Sequence, residues 1–374
     1  MRNDSNFSPA PPGLKLEYNH DLDVSEDFLR AYTLIRKALK DERLIRAFRY
    51  YDGEAKKHKR WFESLGIWTL LLALAPLLVA AIRMIVGDEM WKEEISTSAE
   101  TLGLISVLLV LLSRRRQHRR LWCKAVFCRE RLRQWHFQKF LDGEFIGLLV
   151  DASDRFDVEL DKRWANITHN FRDSYGAMKQ FLDFDHDSDS FVKVTPYADR
   201  AVAQQVINAL SALRVQHQLR YAVQRTADEG EERGLSLEER RSLSEHVAAL
   251  ALAGAVLVIV SALLVPIVSW IAAHGFGHDN WLPKEKILTR YFEGAALFLS
   301  VLSAGSRAYR AGFTVPDESE SYEEYSNRLR EIVAVFDSAP TLLRKMQALK
   351  HLEDVATDEL RRFLKMKERA TFVF

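Results

Sequence analysis

The chain has 374 residues, and its 53 basic and 52 acidic side chains leave a formal net charge of +1. This balance argues against a general nucleic-acid-binding protein, which needs a strongly basic surface. The two cysteines are too few for a disulfide framework and predict a reducing compartment.

The first 64 residues predict a disordered segment followed by helices. Residues 1–20 are rich in proline, asparagine and serine and lack the apolar stretch of a cleaved signal peptide. Residues 21–64 predict cytoplasmic amphipathic helices, because apolar side chains recur at helical spacing and Ser25 is a suitable N-cap. We expect one helix over residues 21–51, an interruption at Asp52-Gly53, and a basic helix over residues 54–64.

Two long uncharged stretches predict membrane-spanning helices. Residues 247–273 carry neither a charge nor a histidine, and residues 65–82 form a similar uncharged run. At about 1.5 Å per residue, the longer run exceeds the ~30 Å hydrocarbon core of a bilayer. Each run is followed by a polar loop and a shorter apolar helix, bounded by Glu100 and Arg114 or by Glu293 and Arg307. The sequence therefore predicts membrane hairpins over residues 65–113 and 247–306.

The two hairpins share features that predict an internal duplication. In each second helix the glutamate stands fourteen positions before the arginine, a serine precedes that arginine, and a Ser-Val-Leu triplet lies inside. The first helix of each pair has one interior proline, Pro76 or Pro266. Similar features in the same order are typical of a repeated two-span unit.

Basic residues beside the predicted spans give an orientation. They are Lys56, Lys57, Lys59 and Arg60 before the first span, Arg114, Arg115, Arg116, Arg119 and Arg120 after the second, and Arg307 and Arg310 after the fourth. The positive-inside rule then places both termini and the middle region in the cytoplasm of a multi-pass inner- or plasma-membrane protein. These side chains either bind anionic lipid headgroups or are simply solvated beside the membrane.

The second helix of each hairpin is short for a membrane span. Only thirteen uncharged residues separate the glutamate from the arginine, which gives about 20 Å of helix. Such a short helix can span the bilayer in three ways: the arginine side chain extends to the headgroups, the bilayer becomes locally thinner, or the glutamate lies inside the outer edge of the membrane. A membrane carboxylate is a functional candidate, and in an oligomer it would form a ring that favours cations. The alternative is a glutamate at the headgroups, stabilised by the helix dipole.

Candidate pore or vestibule residues follow from these short helices. They are Glu100, Glu293, Ser106, Ser300 and Ser303. Small residues predict that the fourth helix packs centrally against other helices. Pro76 and Pro266 are either gating hinges or ordinary helix kinks.

The remaining chain predicts long cytoplasmic helices over residues 114–246 and 307–374. We expect a continuous helix over 114–141, another over 197–225, and two over 318–338 and 340–367, with Glu353 interrupting an apolar stripe in the last. The fold of residues 142–195 stays open, and its apolar run at 145–150 fits either a strand or a helix. The predicted fold class is thus all-α, with four transmembrane helices in two like-oriented hairpins.

Neither an enzyme nor a metal site is predicted. The chain contains no glycine-rich phosphate loop, HExxH or GxSxG motif. Cys128 lies in an apolar stripe and is predicted to be a core residue, and Cys123 and Cys128 do not predict a metal or redox pair, because no further ligand completes a set. His274 and His278 likewise lack a third ligand. The alternating aspartates at 183–189 predict a solvated turn, because the glycine and glutamate of a calcium loop are missing. We expect no cofactor.

The arrangement resembles the two-span effector domains of the SLATT superfamily. The resemblance rests on residues 56–82 with 100–141, and on residues 238–273 with 293–310 followed by the Tyr-Glu-Glu-Tyr segment at 322–325. It implies a pore-forming or membrane-disrupting effector of bacterial conflict systems, triggered by a nucleotide-sensing partner. The duplication departs from the single unit usual in that family.

Three functional hypotheses follow. The first is an oligomeric gated pore, with the bilayer, further copies of the chain and a regulatory protein or nucleotide ligand as partners. The second is a membrane-anchored scaffold or sensor whose spans only tether the cytoplasmic helices. The third is an ion-coupled transporter, although the like orientation of the hairpins does not fit an inverted repeat.

Overall fold

The computed structural model describes residues 21–86, 97, 101–102, 104–105, 107–108, 117–151, 153–183, 194–226, 237–276 and 285–370. Within these residues the secondary structure is helical, and the β contacts are limited to an isolated bridge between Asp142 and Thr195. The predicted all-α class is confirmed. The helices are α1 (Glu26–Ala31), α2 (Arg36–Leu39), α3 (Glu42–Val86), α4 (His118–Gln138), α5 (Gly143–Asp151), α6 (Ser153–Arg172), α7 (Ser174–Asp183), α8 (Arg200–Leu210), α9 (His217–Thr226), α10 (Leu237–Phe276), α11 (Glu285–Phe313), α12 (Val315–Ser338) and α13 (Leu342–Arg369).

The chain divides into two compact units. Unit 1 consists of Met1–His58, Arg120–Ser236 and Glu318–Glu368. Unit 2 consists of Lys59–Arg119, Leu237–Asp317 and Arg369–Phe374. α3 therefore contributes its first residues to unit 1 and its apolar part to unit 2.

The first predicted helix is divided differently in the structure. Ser25 caps α1 as predicted, accepting a 3.2 Å hydrogen bond from the Phe28 amide. The predicted helix over residues 21–51 is instead divided into α1, α2 and the start of α3. Asp41 precedes α3, and its carboxylate accepts a hydrogen bond from the Leu44 amide at 3.2 Å. The predicted interruption at Asp52-Gly53 is wrong, because α3 runs continuously through it. A glycine inside a helix costs only about 1 kcal/mol, too little to end a helix of this length.

The helix predicted over residues 114–141 begins later than expected. Gln117 has φ of 50°, a left-handed conformation that an α-helix cannot contain, and α4 starts at the next residue. The open run at 145–150 is helical and forms most of α5. The predictions for the last two helices are confirmed, since α12 ends at Ser338 and α13 begins at Leu342.

The core of unit 1 is built from aromatic and aliphatic side chains of nearly all its helices. Phe137, Phe140 and Phe156 are among the largest side chains that are less than 2% exposed. They share one cluster with apolar residues of α1–α6, α8, α9, α12 and α13. Burial of this apolar surface stabilises unit 1 without any contribution from disulfides, because both cysteines are free.

A buried ion pair joins α13 to the middle of the chain. A π-helical turn over Ser211–Gln216 separates α8 from α9 and carries Arg214. The Arg214 guanidinium donates from Nε and Nη2 to the two oxygens of Glu353 at 2.6 and 3.0 Å, and these side chains are 2% and 4% exposed. Glu353 therefore does not simply interrupt an apolar stripe, because it holds a buried cation in a bidentate contact.

A short connection crosses the start of α5 at close range. The Gly143 amide donates to the Thr195 carbonyl at 3.3 Å, and the Thr195 amide donates to the Leu141 carbonyl at 3.2 Å. A Cβ atom at Gly143 would lie 2.6 Å from the Pro196 carbonyl oxygen and 2.7 Å from that of Thr195. Only glycine fits here without a backbone shift.

Candidate functional site in unit 2

Two candidate spans are long and apolar enough to cross a membrane. They are Arg36–Met84, which covers α2 and most of α3, and Ser242–Leu264, which lies within α10. Only 22% and 17% of their most apolar windows are buried within the chain, unlike the core helix of a soluble protein. Trp68, Leu250, Leu257 and Leu263 are 58–73% exposed. Such a surface needs an apolar environment, which supports association with a membrane.

The predicted count of four spans is only partly matched. The fourth predicted span does form a helix, α11, but its charged residues leave just thirteen uncharged positions between Glu293 and Arg307. It therefore lacks the apolar length of the other two. Most of the second predicted span lies outside the described residues. Two candidate spans are thus found within the described part of the chain, and the other two stay predictions.

α10 and α11 pack side by side along a polar seam. The Ser306 hydroxyl donates to the Ser244 carbonyl at 2.7 Å, and the Ser303 hydroxyl donates to the Ala248 carbonyl at 3.4 Å. Residue numbers fall along α11 as they rise along α10, so the helices are antiparallel. Backbone carbonyls of a helix accept such serine hydrogen bonds in addition to their own, which stabilises helix pairs in apolar surroundings.

Small residues allow this close approach. Ala248, Ala251 and Ala255 are 8%, 3% and 4% exposed and recur along α10 at helical spacing. Gly254 faces α11, where an added Cβ would lie 3.0 Å from Leu299 Cδ1. The hairpin interface therefore has the small-residue character that the sequence predicts for membrane helices.

α3 also reaches α11 at a glycine. A Cβ atom placed on Gly305 would lie 2.5 Å from Leu74 Cδ1 of α3. α11 thus contacts both of the apolar helices. This matches the prediction that the small-residue-rich helix packs against its neighbours.

One face of α11 is polar and exposed. Glu293, Ser300 and Arg307 follow one another at intervals of seven residues, lie on one face, and are all exposed. Glu293 and Arg307 are about 21 Å apart along the helix axis. Ser303, grouped with them in the sequence, is instead 6% exposed and belongs to the seam with α10. The exposed face therefore carries two of the five candidate pore residues.

The predicted headgroup residues fall into two groups. Several contact acidic side chains or carbonyls: Lys56 with Asp52 at 2.9 Å, Lys57 with Glu54 at 3.2 Å, Lys59 with Glu63 at 3.8 Å, Arg310 with Glu245 at 3.1 Å, and Arg119 with the Ala370 carbonyl. Arg60 and Arg307 are exposed and make no ion pair within the described residues. Arg120 lies over the Tyr175 ring at 5.5 Å. Exposed ion pairs of this kind contribute little to stability, so the paired side chains remain able to exchange partners.

Several predicted site residues lie outside the described residues. They are Glu100, Ser106, Arg114, Arg115, Arg116, His278 and the aspartates at 185, 187 and 189. Pro76 lies inside α3 and Pro266 inside α10, and both helices continue past these positions.

Cys128 is a core residue, as predicted, and Cys123 is one as well. Cys123 and Cys128 are 2% and 0% exposed. Burial raises the pKa of the Cys128 thiol to about 12, so it stays protonated and unreactive at neutral pH. Within the described residues, no group of three histidine, cysteine or acidic side chains is arranged to hold a metal ion.

Sequence reasoning missed the residues of α10 that receive α11. Ser244 and Glu245 precede the uncharged run and read as part of a cytoplasmic helix, yet they contact Ser306 and Arg310. The only sequence signal was the serine pair of α11 with no predicted partner. Comparisons with protein-family models, curated proteins and solved structures found no match, so the SLATT resemblance stays a prediction.

Proposed function

We propose that the chain is a homo-oligomeric, gated membrane pore in which the exposed face of α11 lines the conducting path. Four spans then form two like-oriented hairpins, and both termini lie in the cytoplasm. The assignment to a bacterial defence system, with a nucleotide or a regulatory protein as trigger, comes from the family resemblance alone.

One observation carries the proposal. α11 packs its small residues against the apolar helices of unit 2, yet exposes Glu293, Ser300 and Arg307 on one face. Within the candidate spans of α3 and α10, many exposed side chains are by contrast large and apolar, such as Trp68, Leu250 and Leu257. A charged stripe beside such helices avoids lipid if it faces water in a channel or another copy of α11. In a ring of copies, Glu293 would form one charged ring and Arg307 another.

Ion flux from liposomes tests this function. Purified full-length protein should release trapped ions, and Glu293→Gln should lower the preference for cations over anions several-fold, because a ring of carboxylates is removed. Glu331→Gln is the matched control, since Glu331 is an exposed glutamate of unit 1. Its flux and selectivity should equal those of the native chain. A bilayer that stays tight under every tested condition, with a monomeric protein in detergent, would refute the pore.

The scaffold hypothesis also has an observation in its favour. Unit 1 has a large core of its own, and α13 exposes Leu343 at 52%. If the spans only tether unit 1, Glu293→Gln should be silent in every assay. Leu343→Asp should then reduce binding of a cytoplasmic partner without unfolding the protein. A pull-down with the purified protein would measure the loss of binding.

A further inference from the structure

Unit 1 carries four basic side chains near the contact between α4 and α7. Arg120 and Lys124 lie one turn apart on α4, Arg172 ends α6, and Lys179 lies on α7. Within the described residues none of these four forms an ion pair, whereas many other basic side chains of unit 1 do. Arg120, Arg172 and Lys179 are exposed, and Lys124 is half-buried.

An aromatic side chain lies between two of these cations. The Tyr175 ring lies 5.5 Å from the Arg120 guanidinium carbon and 5.6 Å from Lys179 Nζ. The ring therefore brings a cation of α4 and a cation of α7 to one place. Each contact stabilises an exposed cation by only about 0.5–1 kcal/mol, so an anion can still bind both.

The acidic group nearest in sequence is a single carboxylate that caps α7. Asp173 stands between Arg172 and α7, and its carboxylate accepts a 3.0 Å hydrogen bond from the Gly176 amide at the start of that helix. The surface therefore carries four cations against the one carboxylate of Asp173, together with a half-buried tyrosine. Tyrosine favours the headgroup layer of a bilayer, where its ring is buried and its hydroxyl is hydrated.

The chain length also favours a membrane as the partner. Arg120 stands six residues after Arg114, at which the second predicted span ends. Six residues reach at most about 20 Å, so α4 begins close to the predicted bilayer. Electrostatic attraction to an anionic leaflet extends over about 8–10 Å at physiological salt.

We propose that Arg120, Lys124, Arg172, Tyr175 and Lys179 form a docking surface for anionic phospholipid headgroups. This inference rests on the membrane location in the proposed function, but not on pore formation. Of these residues, the sequence alone marks only Arg120, as a basic residue beside the predicted spans. The other members are brought near Arg120 by the packing of α4 on α7, so they do not form a continuous basic segment of the sequence. Docking there would hold unit 1 against the leaflet in a salt-dependent way.

A fluorescent label beside the surface tests the proposal. Because both native cysteines are buried, Gln180→Cys gives an exposed thiol that can be labelled selectively with an environment-sensitive dye. The labelled full-length protein is placed in vesicles of phosphatidylcholine alone, or with about 30 mol% phosphatidylserine. Quenching by a headgroup nitroxide should be strong only in the anionic vesicles and should fall at high salt.

Two variants show whether the surface itself is responsible. Lys179→Gln should weaken the contact that depends on phosphatidylserine by roughly five-fold, which is the effect of removing one basic residue near an anionic leaflet. Lys162→Gln, a matched change at an exposed lysine of α6, should leave it unchanged. Retained burial of Cys128, which lies next to Ser174 of α7, shows that each variant keeps the packing of α4 on α7.

The outcomes separate this inference from the pore. Equal quenching in both kinds of vesicle, or equal effects of the two variants, overturns the docking surface, even if ion flux is normal. A Lys179-dependent response to inorganic phosphate in phosphatidylcholine vesicles, without contact in anionic ones, also overturns it and assigns the cations to a free anion. Quenching as expected in vesicles that conduct no ions supports the docking surface and counts against the pore.

Discussion

The buried pair of Arg214 and Glu353 gives the sharpest test of the unit 1 structure. Their bidentate contact is 2.6 and 3.0 Å long, and Arg214 also lies 4.9 Å from the Phe137 ring. Burial alone disfavours the charged guanidinium, but Glu353 outweighs this and raises the pKa of Arg214 above its ordinary value. Glu353→Gln leaves that cation buried without its counter-ion, which should cost about 3–5 kcal/mol.

The reverse is expected when both charges are removed. Arg214→Met combined with Glu353→Leu replaces the pair by apolar side chains of similar volume, which is often neutral or stabilising by about 1–4 kcal/mol. The double variant should therefore be more stable than Glu353→Gln. Asp354→Asn is the control, because it breaks a more exposed 2.8 Å pair with Lys350 on the same helix and should cost about 0.5 kcal/mol or less.

Hydrogen exchange of the α13 amides in the full-length protein measures these differences. At about 1.4 kcal/mol per factor of ten, Glu353→Gln should speed exchange roughly 100-fold or more. The control should change it by less than about three-fold, and the double variant should restore slow exchange. The reasoning is refuted if Glu353→Gln behaves like the control, since Arg214 would then not depend on Glu353.

Three more predictions follow from single positions of unit 1. Gly143→Ala should destabilise unit 1 by about 1–3 kcal/mol, because the added Cβ meets two backbone carbonyl groups. Gly147→Ala in the same helix should instead stabilise unit 1 by about 0.5–1 kcal/mol, because its Cβ meets nothing within 4 Å. Denaturant unfolding, followed by tryptophan fluorescence, compares the free energies of unfolding of the two variants. Burial lowers the pKa of Lys139 to about 8 from 10.5, so the unfolded chain holds its proton longer and stability should rise between pH 8 and 10.5, by roughly 3 kcal/mol in total. In Lys139→Met this increase in stability should be absent. If the stability of the variant still rose with pH as in the native protein, Lys139 would not be the group responsible. Cys123 and Cys128 should react with a thiol reagent only in denaturant, and fast labelling of the folded protein would show that the packing is wrong.

The sequence by itself determined the helical class and the places of the strongest apolar runs. Apolar spacing predicts helices directly, and uncharged stretches such as residues 247–273 predict spans from length alone. Local chemistry also located Ser25 as a cap and the turn between α12 and α13, because these signals act over a few residues.

Only the tertiary structure shows which distant side chains and helices contact one another. Arg214 and Glu353 are 139 positions apart, so periodicity shows Glu353 only as an interruption of a stripe. The seam between Ser306 and Ser244, and the cations around Tyr175, likewise depend on helices that meet only in the fold. Tertiary packing also overrides weak local preferences. α3 continues through Gly53, because the cost of about 1 kcal/mol for a glycine within a helix is smaller than the stabilisation from packing of the surrounding helix. Side-chain contacts between distant segments depend on three-dimensional distance, which the order of residues along one helix does not contain.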